Sequence, residues 1–189
     1  MKTRLALLGV VSLALACTVG NNASVEVYGI CVPPDKCTFG GKCDTYAMDP
    51  PILDLTTSPT RVLWLPIEVR DQLANNADPS VGRVNTNDAF VQQFEVDWKD
   101  AALPPQIGRI QQTVPTDGSS VISIWLTPPA VVGRYVANVR LSGIYANQSH
   151  FETASFEVPV VVCAGCLAAQ ATCTKPCPDV GQWPFTCGT

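Results

Sequence analysis

Nine cysteines, a single histidine and a thin scatter of carboxylates are the groups in this chain that could do covalent, metal or proton-transfer chemistry. The cysteines stand at 17, 31, 37, 43, 163, 166, 173, 177 and 187. Cys163-Ala-Gly-Cys166 has the spacing of a redox pair, which works when a helix start or a cationic neighbour lowers one thiol's pKa. Cys163, Cys166, Cys173 and Cys177 also have a spacing that could set thiolates around zinc. An oxidising compartment favours plain disulfides over either use. His150 lies in the polar stretch Tyr145-Ala-Asn-Gln-Ser-His-Phe151, and its neighbour Ser149 is too close in sequence to make a good nucleophile for it. No nucleophile elbow, zinc-protease helix or S-x-x-K motif is present. Asp97 and Asp100 flank Trp98-Lys99, and Asp44, Asp49 and Asp54 are evenly spaced, but only the fold decides whether two carboxylates share a cleft. Asp78, Asn85, Asn87 and Asp88 offer side-chain oxygens from one loop and form the candidate binding loop. Asx residues in loops also build turns. The expectation is therefore no catalytic residue, no metal and no cofactor.

The elements that must position these groups read as strands. Apolar and polar residues alternate over Ser24 to Val32, Arg61 to Arg70, Val91 to Lys99, Ile107 to Val114, Val121 to Thr127, Arg134 to Tyr145 and Thr153 to Val162, with a short run at Ile52 to Thr56. β-Branched and aromatic residues fill these runs, and Pro, Gly, Asn or Asp bound them. No long window repeats at helical spacing, so the expected fold is all-β. Strands with one apolar face must cover it with a second sheet, which points to an antiparallel sandwich. Pro66 and Pro159 fall inside strand patterns and suggest edges or bulges. Leu73 to Asp88 is rich in turn formers and is the expected variable loop.

The chain begins with Lys2 and Arg4, an uncharged stretch from Leu5 to Ala16, and then Cys17. That order suits an export signal, and the apolar stretch is shorter than the roughly 20 residues a spanning helix needs. Charged residues make up 15 % and hydrophobic ones 47 %, a balance for a packed core rather than disorder. The pI near 4.8 leaves no basic surface for phosphates, so nucleic acid is not an expected partner.

Leu13-Ala14-Leu15-Ala16-Cys17 resembles the lipobox of bacterial lipoproteins. The resemblance implies cleavage before Cys17, acylation of Cys17 with palmitate-type chains and anchoring to a membrane, with Thr18 leaning toward the outer membrane. Lipidation would take Cys17 out of the count and leave an even set of Cys31, Cys37, Cys43, Cys163, Cys166, Cys173, Cys177 and Cys187 for disulfides. Three of these precede the main strand region and five follow it. If all pair, at least one bridge joins the two ends, while the pairing itself stays open among 105 possibilities. The expected organisation is a cleaved signal peptide at 1–16, a lipidated cysteine-containing segment at 17–46, the sandwich at 47–162 and a cysteine-rich tail at 163–189.

Gly133-Arg134-Tyr135-Val136-Ala137-Asn138-Val139 resembles the start of strand F in immunoglobulin-like sandwiches, with Ala137 where that family places its second inter-sheet cysteine. The resemblance implies a fibronectin-like or bacterial immunoglobulin-like variant without the antibody-type bridge, in which Tyr135 is a tyrosine-corner residue bonding backbone near the E–F turn and the strand around Trp125 is strand E. As a whole the chain is similar to secreted lipoproteins of Gram-negative bacteria that have no assigned activity. That similarity implies a non-catalytic, lipid-anchored module of the cell envelope or surface that binds an envelope protein or a glycan, or serves a structural role. The alternatives are a secreted hydrolase with spatially assembled carboxylates, and a periplasmic inhibitor or chaperone-like module offering an edge strand.

Overall fold

The computed structural model describes residues 24–33, 40–56, 58, 61–99 and 101–167. Cys17, Cys37, Cys173, Cys177 and Cys187 lie outside them, as do Asp100 and the signal segment. The described residues form nine strands: β1 (Val25–Ile30), β2 (Ile52–Asp54), β3 (Leu63–Asp71), β4 (Ala89–Trp98), β5 (Gln106–Val114), β6 (Gly118–Leu126), β7 (Gly133–Tyr145), β8 (His150–Glu152) and β9 (Phe156–Cys163). One sheet has the order β1-β3-β6; the other runs β2-β9-β7-β4-β5, with β8 also on β7. All neighbours are antiparallel except β2 and β9, which run parallel. This is an immunoglobulin-like sandwich, with β1, β3 and β6 in the places of strands A, B and E, and β4, β5, β7 and β9 in those of C, C′, F and G.

Alternation in sequence becomes alternation in burial. Leu63, Leu65, Ile67 and Val69 of β3 and Ile122, Ile124 and Leu126 of β6 point inward, and they meet Val91, Phe94 and Val96 of β4, Val139 and Leu141 of β7 and Val158, Val160 and Val162 of β9 in one core. Each fully buried aliphatic side chain is worth roughly 1.5–3 kcal/mol as an upper figure. Phe94 and Trp125 meet edge to face across the two sheets, with ring centroids 4.6 Å apart. Gly108 makes room for that pair, because a Cβ there would fall 2.1 Å from the Phe94 ring.

The expected tyrosine corner is present: the Tyr135 hydroxyl donates to the Val131 carbonyl at 3.0 Å. Ala137, opposite Trp98 in the β4–β7 ladder, is fully buried. Pro66 and Pro159 do not lie on edge strands as their sequence context suggests, because β3 is flanked by β1 and β6, and β9 by β7 and β2. Their missing N–H groups cost nothing for a local reason. Pro66 turns its carbonyl to Cys31, just past the last residue of β1, and Pro159 stands two residues before Val161, where the pairing with β2 begins.

The sandwich takes in more of the N-terminal segment than residue 47 onward, because β1 pairs with β3. The Cys31–Cys43 disulfide holds Cys43 over the outer face of β3. Glu68 is buried beneath it, accepting from the Cys43 N–H at 2.8 Å, the Tyr46 hydroxyl at 2.6 Å and Arg70 Nε at 2.7 Å. Burial pushes the Glu68 carboxyl upward, but the Tyr46, Cys43 and Arg70 donors prevail and hold it below the usual range. Arg70 in turn lies over the Tyr28 ring, 3.2 Å from its centroid.

Candidate binding groove

The loop between β3 and β4 carries Asp78, Asn85, Asn87 and Asp88, and its polar atoms are spent within the loop and its base. Asp78 caps a single 3-10 turn, Pro79–Val81, by accepting from the Ser80 N–H and hydroxyl. Asp88 accepts from the Thr116 N–H and hydroxyl and from the Asn85 amide, bonds that hold its carboxyl below the ordinary range. Asn87 accepts from Asn76 and donates to the Ala74 carbonyl. The fold brings Asn85 and Asp88 together, while Asp78 serves the separate turn. These residues act as turn and loop builders.

At the end of β9, Cys163 and Cys166 are joined as a disulfide, so their sulfurs are not the thiolates a zinc site or a reduced redox pair would need. Asp54 lies buried beside them, within 4.8 Å of both sulfurs. It accepts from the N–H groups of Thr56, Gly165 and Leu167 and from the Thr56 hydroxyl. Burial raises the Asp54 carboxyl, and the Leu167, Gly165 and Thr56 donors outweigh burial and bring it to about 2. Gly165 meets the carboxylate at a φ of 77°, a left-handed conformation that glycine adopts without strain. The cluster is a clasp that fixes the start of the tail against β2.

A separate set of polar side chains gathers on the larger sheet. A shallow groove of about 1030 Å³ crosses the outer face of the larger sheet and is lined by Gln92, Gln93, Arg109, Ile110, Gln111, Ser142, Gly143, His150, Phe151 and Glu152. Its origin is a double irregularity. Between Val91 and Gln93 the pairing of β4 slips against both β5 and β7, so Gln92 and Gln93 both turn away from the core, and β5 spends an extra residue across from them. Gly143 lets the displaced backbone come close, since a Cβ there would lie 2.0 Å from the Phe90 carbonyl oxygen. Bulges of this kind re-aim side chains and recur beside functional sites.

Beyond the slip, Arg109, Gln93, Ser142 and Glu152 stand opposite one another on successive strands. Glu152 turns one oxygen to Arg140 at 3.1 Å, and Arg140 also reaches Glu95 and Asp97. Among the described residues, the side chains of Gln92, Gln93, Arg109, Gln111, Ser142 and His150 have no hydrogen bond or ion pair within the protein. His150, which the sequence places in a polar stretch, opens β8 and lines this groove. Ser142, His150 and Glu152 share the groove without bonding one another. The groove was missed because its members come from four strands. Its sequence signals are Gln92-Gln93, which breaks the alternation of β4, and Gly143 inside the β7 strand pattern.

Fold and site together define an all-β, immunoglobulin-like module with a polar cross-strand groove. A scan against protein-family models finds no match, and neither does a search of curated proteins.

Proposed function

We propose that the chain is an exported, lipid-anchored binding module of a bacterial envelope, tethered through Cys17 and using the groove across β5, β4, β7 and β8 as its contact surface. The observation that carries this reading is the contrast in bonding. The loop acids and amides satisfy one another, whereas the groove's carboxamides, guanidinium, hydroxyl and imidazole are left for a partner. A rigid sheet supports them, which spares a ligand the entropy of ordering a loop. The signal-like start, with a cysteine where a lipoprotein would be acylated, supports export and anchoring.

Hydrolysis is the second reading, favoured by Ser142, His150 and Glu152 lining one groove. It ranks below binding because Glu152 faces Arg140 and neither other group is oriented by a neighbour. An edge-strand role finds no support at Pro66, whose strand lies between β1 and β6, and at Pro159 it has only the short stretch of β9 before the β2 ladder begins at Val161.

Two measurements test the proposal. Cys17→Ser should move the protein from the membrane to the soluble fraction, and continued sedimentation with membranes would refute anchoring. The anchored protein should capture an envelope component, and Arg109→Glu should weaken that capture at least tenfold with unchanged Tm. Capture indifferent to Arg109→Glu removes the groove from the account, and product formation abolished by His150→Ala replaces binding with hydrolysis.

A further inference from the structure

We infer that the groove takes an uncharged oligosaccharide laid across the strands, an inference that rests on the binding reading above and names its ligand class. The lining chemistry is the first argument. Three glutamines and a serine dominate the centre, and each offers both donors and acceptors, the mixture that a chain of sugar hydroxyls requires. The two charged members lie at opposite ends of one row, Arg109 on β5 and Glu152 on β8, so the lining carries no excess of either sign. An anionic polymer would meet one guanidinium but also the carboxylates of Glu95, Asp97 and Glu152 gathered around Arg140. A cationic one would meet unpaired Arg109. Neutral hydroxyls meet neither penalty and can bond both ends.

Geometry is the second argument. The row spans four strands, about 14 Å at the usual strand spacing, which is the length of a short oligosaccharide. It runs perpendicular to the strands from edge strand β5 to edge strand β8, so a peptide paired along either edge would lie across its ends and not fill it. The groove is also too polar for an acyl chain or an apolar helix. Ile110 and Phe151 turn toward the core beneath the groove, so the exposed His150 ring is the surface it offers to the C–H face of a sugar. Phe90, one row away beside Ile144 and His150, is 38 % exposed and extends that surface.

The experiment uses the mature protein and four soluble probes: dextran, xylan and chitin oligosaccharides as neutral ligands, and polygalacturonate as an anionic one, each followed by calorimetry. The expected result is binding to at least one neutral probe, weakened tenfold or more by Gln93→Ala and by Arg109→Ala. Asp78→Ala, in the self-bonded loop, should leave it unchanged. Binding to none of the neutral probes, to polygalacturonate alone, or binding that survives both groove substitutions would overturn the inference. If the neutral probes fail while envelope capture still depends on Arg109, the glycan assignment falls and the binding module stands. If the groove variants change neither, the binding reading falls with it.

Discussion

Among the described residues, Asp71 keeps a buried carboxylate oxygen without a partner. It ends β3 only 2 % exposed; one oxygen accepts from the Leu73 N–H at 2.9 Å, and the other is buried without a partner. Burial raises its carboxyl, the Leu73 bond lowers it and the negative charge of Asp88 raises it further, with a net upward shift. A carboxyl whose pKa is higher folded than unfolded favours the native state when protonated, and that advantage is lost as pH rises through the folded value. At neutral pH the ionised group therefore opposes folding. Asp71→Asn should raise Tm at pH 7 by on the order of 3 °C, and the gain should shrink as the pH is lowered toward the carboxylate range. A Tm that falls at pH 7 would mean that the charge is compensated. Single residues of this kind were not legible in the sequence, where Asp71 looks like one more polar strand end. Tyr135 was legible, because its spacing from Gly133 and Val139 fixes a local bond four residues away.

Elements were legible wherever period-two alternation ran long enough, and they failed where two strands share one role. β8 and β9 line the same side of β7, one along Ser142–Ile144 and the other along Gly133–Val139, and Thr153 fills the gap, its hydroxyl oxygen accepting from the Leu141 N–H at 3.0 Å. The three-residue β8 has no periodicity of its own, so His150 read as part of a turn. β2 is equally short, and it is held by the parallel ladder to β9 and by Asp54. Because the Asp54 carboxyl is lowered from 3.8 to about 2, its ionised form stabilises the fold above about pH 4, and that contribution is lost as pH falls toward 2. Asp54→Asn replaces an acceptor by a donor that faces N–H groups. It should cost about 1–3 kcal/mol at neutral pH and flatten the acid side of a Tm-against-pH curve. Faster amide exchange at Gly165 and Leu167 should accompany it. A variant with unchanged exchange there would show that the clasp does not hold the tail.

On the scale of the whole molecule, cysteine arithmetic now reaches further than it could from sequence. Cys31–Cys43 and Cys163–Cys166 are each local, one closing the N-terminal loop and the other the start of the tail. Parity from the sequence then leaves Cys37 alone on the N-terminal side with Cys173, Cys177 and Cys187 on the other. If every cysteine but Cys17 is paired, Cys37 must join one of those, and the 105 connectivities shrink to three. Such a bridge would close a loop of more than a hundred residues around the sandwich and, by chain entropy, contribute up to about 5 kcal/mol. Neither the strand pattern nor the core could reveal this, because local and long-range bridges leave the same composition behind. Non-reducing peptide mapping of the mature protein should find one peptide pair linking Cys37 to the tail, with the remaining tail cysteines joined to each other. Cys37→Ser should then lower Tm by far more than the exposed surface of one side chain would warrant, and should leave one alkylatable thiol in the tail. A free Cys37 in native material, or a tail whose thiols all alkylate without reduction, would show that the sandwich stands on its core alone.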